Sequence, residues 1–154
     1  MTIETRTIQS FPARRTAVVT GAGAPRGIGR RVVRKLLAEG WSVAAADIDS
    51  TAVEEFAAEL SAELPAQSEQ KVIGVGVDIS DQASVDAAFA RIDAELPQVV
   101  GLVNLAGIPS PHSFFELTSQ IWDRVMDVNA KGTLLMTQLM SLAADDPTAN
   151  ADED

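Results

Sequence analysis

The sequence predicts an α/β domain built as a doubly wound parallel sheet, and three observations carry that expectation. Four short runs rich in Val, Ile and Ala alternate with stretches in which apolar residues recur every three to four positions. A glycine-rich segment separates the first strand from the first helix. Short acidic or glycine-containing turns close the strands, as in Asp47-Ile48-Asp49 and Ala106-Gly107. Strands alternating with helices of this length imply βαβ units, whose right-handed crossovers make the strands parallel and cover both faces with helices.

The glycine-rich segment organises the rest. Residues 16–29 read Thr-Ala-Val-Val-Thr-Gly-Ala-Gly-Ala-Pro-Arg-Gly-Ile-Gly, a β-branched run that stops at glycines and resumes with Ile28, Val32 and Leu36 four apart. A backbone without Cβ accepts positive φ and lets an anion approach, while the free N–H groups and dipole of the next helix attract it. A dinucleotide pyrophosphate suits such a turn. The spacing departs from G-x-G-x-x-G, because Arg26 stands where the third glycine would follow Gly21 and Gly23.

The first helix, about 27–39, sets an apolar stripe against Arg30, Arg31, Arg34 and Lys35, and Gly40 fits its C′ position. A nearly continuous apolar strand, 41–48, suits burial on both faces. Thr51-Ala-Val-Glu54 spells a capping box for a helix reaching about 64. A third strand covers 72–79, and Ser80 or Asp81 caps a helix that Pro97 ends. A fourth strand spans 99–105. After an irregular loop at 108–117, Thr118 caps a last helix with two apolar faces. One carries Ile121, Val125, Val128, Leu135 and Leu139, the other Trp122, Met126, Met136 and Met140.

Composition narrows the function. The 154 residues suit one domain, 14–144, preceded by a flexible segment at 1–13 and followed by an acidic, disordered tail at 145–154. A net charge of −10 argues against nucleic acid as a partner. No cysteine and a single histidine leave no metal site to build. No apolar run is long enough for a membrane helix, and no signal-peptide core is visible, so a soluble cytoplasmic protein is expected.

With the strands placed, residues 14–140 resemble the short-chain dehydrogenase/reductase family. Thr20-Gly21 with Gly27-Ile28-Gly29 is similar to its Thr-Gly-x-x-x-Gly-x-Gly turn, lengthened so that five residues separate Gly21 from Gly27. Taking Gly23 as the first glycine restores the spacing but loses the threonine. The resemblance makes Asp47, with Ile48, the adenosine-ribose acid and Asp78-Ile79 the adenine contact. It makes Asn104-Leu-Ala106-Gly107 the Asn-Asn-Ala-Gly motif with its second Asn replaced, and Asn129 the structural asparagine of the catalytic tetrad. It also implies a Rossmann-like sheet of strand order 3-2-1-4, incomplete, with the fourth strand on an open edge. Independently, ligands of open α/β sheets bind beyond the carboxyl ends of the strands, where Gly21, Asp47, Asp78 and Ala106-Gly107 fall. Alternatives remain for single residues. Asp47 could be a solvated strand-end acid, Asp78 a helix cap, Asn104 a structural amide and His112 a surface loop residue.

The acid at Asp47 favours NAD(H) over NADP(H), with Arg26 the one basic residue of the turn that could serve a 2′-phosphate. In the resembled family a Tyr, a Lys four residues later and a Ser complete the chemistry. This chain has no tyrosine, its last lysine is Lys131, and Ser141 lies where the asparagine helix still runs. The expectation is therefore the NAD(H)-binding portion of a short-chain oxidoreductase, inactive in hydride transfer alone. The alternative is a non-catalytic module or split fragment that pairs its open strand with a second copy or a complementary chain.

Overall fold

A computed structural model describes residues 12–144. The expected flexible start, up to residue 11, and the expected acidic tail at 145–154 lie outside the described residues. Strands β1 (Thr16–Thr20), β2 (Ser42–Asp47), β3 (Val72–Gly76) and β4 (Val99–Val103) form one parallel sheet in the order β3-β2-β1-β4. The helices are α1 (Ile28–Ala38), α2 (Ser50–Glu63), α3 (Gln82–Glu95), α4 (Ser119–Met126) and α5 (Thr133–Ala144). Both the order and the parallel sense agree with expectation.

The period of two along each strand sorts the core into two layers. Val18, Ala44, Ala46 and Val75 pack with Val85, Phe89 and Ile92 of α3 and Met136 of α5. Val19, Val43 and Ala45 pack on the opposite face with Val33 and Leu37 of α1 and Val53, Phe56 and Leu60 of α2. Each fully buried Val, Ile or Phe contributes about 1.5–3 kcal/mol, so packing on both faces holds the sheet. No helix among the described residues is long and apolar enough to cross a membrane.

Helix ends follow local chemistry. Gly40, at φ +89°, closes α1, with its N–H donating to the Leu37 carbonyl and the Trp41 N–H to the Leu36 carbonyl, both at 3.1 Å. Helix α2 starts at Ser50, and its cap is Asp49, whose carboxylate accepts the Ala52 N–H at 3.0 Å. The expected capping box at Thr51 is thus corrected: a charged acceptor two residues earlier takes the orphan donor, and Thr51 falls inside the helix. Asp81 rather than Ser80 caps α3, accepting the Ser84 N–H at 2.9 Å.

Two strands end sooner than their apolar runs. Strand β3 stops at Gly76 because the Asp78 carboxylate turns the chain by accepting the Ser80 N–H at 2.9 Å. Strand β4 stops at Val103, and the Leu105 and Ala106 N–H groups donate to the Thr20 hydroxyl instead of a ladder carbonyl.

The last helix is not continuous. A π-helical turn at Asp127–Gly132 separates α4 from α5 and rotates everything after it relative to a regular helix. The two expected faces are corrected accordingly. Met136 is buried and Met140, Leu135 and Leu139 pack on the same core, whereas Trp122 and Met126 are exposed.

Candidate functional site

A cleft of about 440 Å³ opens at the carboxyl ends of the strands. Its floor is the glycine turn. Gly21 leaves β1 at φ +73°, and a Cβ there would stand 2.8 Å from the Ala106 nitrogen and the Leu105 carbonyl carbon. Only glycine meets both demands, and Gly21 rather than Gly23 is the residue of the turn with positive φ. Thr20, buried at the end of β1, accepts the Leu105 N–H at 3.0 Å and the Ala106 N–H at 3.1 Å through one hydroxyl. This joins the ends of two adjacent strands at the cleft.

Beyond Gly21 the turn keeps to β2. The Ala22 N–H donates to the Ala46 carbonyl at 3.1 Å and the Gly23 N–H to Oδ2 of Asp47 at 2.8 Å. Gly29 packs so closely on the turn that a Cβ would collide with the Gly21 carbonyl oxygen. Gly27 begins α1 with no side-chain cap, while Asp49, Asp81 and Thr118 cap α2, α3 and α4. The first-turn N–H groups of α1, beside Gly27, Ile28 and Gly29 in the cleft wall, therefore have no side-chain acceptor.

The opposite wall brings the acids. Asp47 lines the cleft, with Oδ1 accepting the Asp49 N–H at 3.2 Å, and Ile48 beside it is 70% exposed, as is Ile28 across the turn. Asp78 and Ile79 follow from the end of β3. Oδ1 of Asp78 accepts both the N–H and the hydroxyl of Ser80, at 2.9 and 2.6 Å. Those bonds hold its carboxyl below the usual carboxylate range, helped by the charges of Arg124 and Lys131. Ala106 and Gly107 complete the rim.

Three expected site residues stand outside the cleft lining. Arg26 is exposed on the turn and does not line the cleft. The Asn104 Nδ2 donates to the Thr137 hydroxyl at 3.4 Å, and its Oδ1 is buried without a hydrogen-bond partner among the described residues. Asn129 engages the backbone of Ile108 with both ends of its amide. His112 lies exposed in its loop, 3.4 Å from the Ser110 hydroxyl.

Sequence reasoning also missed residues. Arg124 of α4 lines the cleft, four positions before Val128, which lines it too; that helical spacing was the available signal. Arg30, read as part of an exposed basic face, instead reaches back over the turn. Its guanidinium donates to the carbonyls of Ala22, Gly23 and Ala52 at 3.3, 3.0 and 3.1 Å and lies 4.4 Å from the Phe56 ring centroid.

Residues 15–147 match the family model described as short chain dehydrogenase, and the chain belongs to that family. It is 35% identical over 124 residues to D-threitol dehydrogenase of Mycolicibacterium smegmatis, which covers 80% of this chain and 45% of that protein. It is 34% identical over 129 residues to sorbitol dehydrogenase of Cereibacter sphaeroides, covering 84% of this chain and 46% of that one. Among solved structures, 3-ketoacyl-(acyl-carrier-protein) reductase from Brucella melitensis complexed with NADH superposes with a TM-score of 0.70 at 30% identity, over 85% of this chain and 50% of that one. A short-chain dehydrogenase/reductase from Burkholderia phymatum in complex with NAD gives 0.74 at 28%, over 84% and 44%. The chain spans about half the length of the curated relatives it matches.

Proposed function

We propose that residues 14–144 are the dinucleotide-binding portion of a short-chain oxidoreductase and that they take NAD(H) in preference to NADP(H). The observation that carries this reading is one cleft holding both an uncapped helix start on a glycine turn and a carboxylate, Asp47, at the tip of β2. The places where Cβ atoms would sit at Gly21 and Gly29 are already filled by backbone, so the turn packs closely, and the uncapped start of α1 supplies the free N–H donors a pyrophosphate requires. Two structural relatives hold NADH and NAD, which supports a nicotinamide cofactor.

In this reading the backbone of Gly21, Gly27, Ile28 and Gly29 holds the pyrophosphate, and Thr20 holds the turn against β4. Asp47 accepts from the ribose hydroxyls beside Ile48. Asp78 and Ile79 border the adenine, and Ala106 and Gly107 allow close approach along the rim. Charge-assisted hydrogen bonds to Asp47 are worth about 1.5–3 kcal/mol each, whereas a 2′-phosphate there would meet a like charge. Arg26, the basic residue of the turn, does not line the cleft, and Asp47 is the charge that decides in this reading. A bound nicotinamide would give hydride to a carbonyl or take it from an alcohol, the reaction type of the family.

The chain by itself is not expected to turn over. It has no tyrosine to supply a proton, and general acid catalysis is typically worth 10²–10⁴-fold. Lys131 pairs with Asp127 at 2.9 Å, and the Asn129 amide is committed to Ile108. Calorimetric titration with NADH and NADPH tests the cofactor reading. NADH should bind more tightly, and Asp47→Ala should abolish the difference; tighter NADPH binding by the parent chain would overturn the assignment.

A second reading, an interaction module, has one observation in its favour. Strand β4 pairs only with β1 among the described residues, and just beyond it the Asn104 Oδ1 is buried without a partner. A complementary chain or second copy that pairs with this edge is compatible with cofactor binding.

A further inference from the structure

The turn between Gly21 and Gly27 is Ala22-Gly23-Ala24-Pro25-Arg26, and its only polar side chain, Arg26, is exposed. Ala22 anchors the start of the turn in the core, and the backbone groups of Ala22 and Gly23 hold it further. The N–H groups of Ala22 and Gly23 are both taken by β2, through the Ala46 carbonyl and the Asp47 carboxylate. The carbonyls of the same two residues are both taken by Arg30. The Ala22 carbonyl and the Gly23 N–H are the two ends of one planar peptide. Arg30 thus grips one end of a rigid unit whose other end points at Asp47.

We infer that Arg30 is a positioning residue for Asp47, acting through the Ala22–Gly23 peptide, and that it sets the ribose preference of the cleft; this rests on the dinucleotide reading above. A cation in the first turn of a helix opposes the helix dipole, so its place in α1 needs an offsetting gain. Three carbonyl acceptors and the face of the buried Phe56 ring provide it. The Ala52 carbonyl anchors the guanidinium to α2, so the grip on the turn is referenced to the helix that follows Asp47 and Asp49 in the chain. A lysine ammonium lacks the planar fork needed to reach the turn and α2 together. Gly23 completes the arrangement, since a Cβ there would stand 2.7 Å from the Asp47 carboxyl carbon.

The experiment titrates NADH and NADPH calorimetrically into the parent chain, Arg30→Met, Arg30→Lys, Asp47→Ala and the Arg30→Met/Asp47→Ala double variant. Amide exchange of Gly23 is followed by NMR in the same proteins without ligand. Arg30→Met should weaken NADH on the order of tenfold, change NADPH little, and add no further loss in the Asp47→Ala background. Equal weakening of both dinucleotides, or full additivity with Asp47→Ala, would show that Arg30 merely rivets α1 to α2. If Arg30→Met fails to fold, Arg30→Lys, which keeps the charge and the stem, carries the same comparison with the same expected loss of preference. A parent chain that binds neither dinucleotide overturns the cofactor reading and the ribose role with it. The positional link is judged separately: the Gly23 amide should be protected in the parent and exchange faster in Arg30→Met and in Asp47→Ala, and unchanged exchange in Arg30→Met overturns the link itself.

Discussion

The side-chain amide of Asn129 and the backbone of Ile108 form a reciprocal pair: Oδ1 accepts the Ile108 N–H at 2.9 Å and Nδ2 donates to the Ile108 carbonyl at 3.0 Å. An amide matched in both directions ties the π-helical turn to the segment that leaves β4. Asn129→Asp keeps the shape but sets a charged acceptor against a carbonyl. The expected loss is about 1–2 kcal/mol, seen as a lower urea midpoint with an unchanged slope. An unaltered midpoint would mean that the pair only decorates the surface.

Thr20 carries two N–H groups on one buried hydroxyl. Thr20→Val preserves volume and strips both donors of their acceptor, so it should cost about 2–4 kcal/mol in equilibrium unfolding. Thr20→Ser, which retains the oxygen, should cost clearly less. Equal costs for the two variants would assign the effect to packing and not to the hydroxyl.

The pH dependence of stability has a definite sign at Asp78. Its folded carboxyl titrates below its ordinary value because Ser80 donates to it twice, with Arg124 and Lys131 adding to the effect. The contribution is therefore complete above the usual carboxylate range and is lost as pH falls through the folded value. Unfolding midpoints measured from about pH 6 down to about pH 3 should decline less steeply for Asp78→Asn than for the parent. Parallel declines would remove Asp78 from the acid limb.

The open edge of β4 yields the fourth expectation. Residues 99–103, Val-Val-Gly-Leu-Val, carry no charge or proline to discourage pairing, and Phe114, Phe115 and Trp122 are exposed nearby in the chain. At tens of micromolar the chain should sediment as an assembly or take up a complementary fragment. A sharp monomer with cooperative unfolding would count against this.

Much of this architecture could be read from the residues, because the signals concerned are local. Val18 and Val19 flanked by glycine, the four-residue spacing of Ile28, Val32 and Leu36, and Gly40 after it each act within one turn of chain. The strand order came from the resemblance instead, since no local rule orders strands. What escaped depends on paths that local patterns do not encode. Arg30 looks like any solvated cation until the turn is seen to fold back beneath it. The π-helical turn at Asp127–Gly132 has no spelling that announces it, yet it separates Met136, buried in the core, from Trp122 and Met126, with which the spacing had grouped it. For Asn104 and Asn129 the motif matched, but their amides are engaged with Thr137 and with the backbone of Ile108, and neither asparagine itself lines the cleft.

The union of β1 with β4 also bears on how the chain assembles. Thr16 donates its hydroxyl to the Pro97 carbonyl 81 residues away, and Thr20 meets Leu105 at a separation of 85. Strands β1 and β2 are joined by α1 alone, whereas this seam closes a loop more than three times longer, at an added closure cost of about 1 kcal/mol. Docking of β4 on β1 brings Leu105, Ala106 and Gly107, one side of the cleft, against the glycine turn. A ligand gripped from both sides recognises only chains in which the seam has closed, and by mass action it suppresses reopening in proportion to its concentration above the dissociation constant.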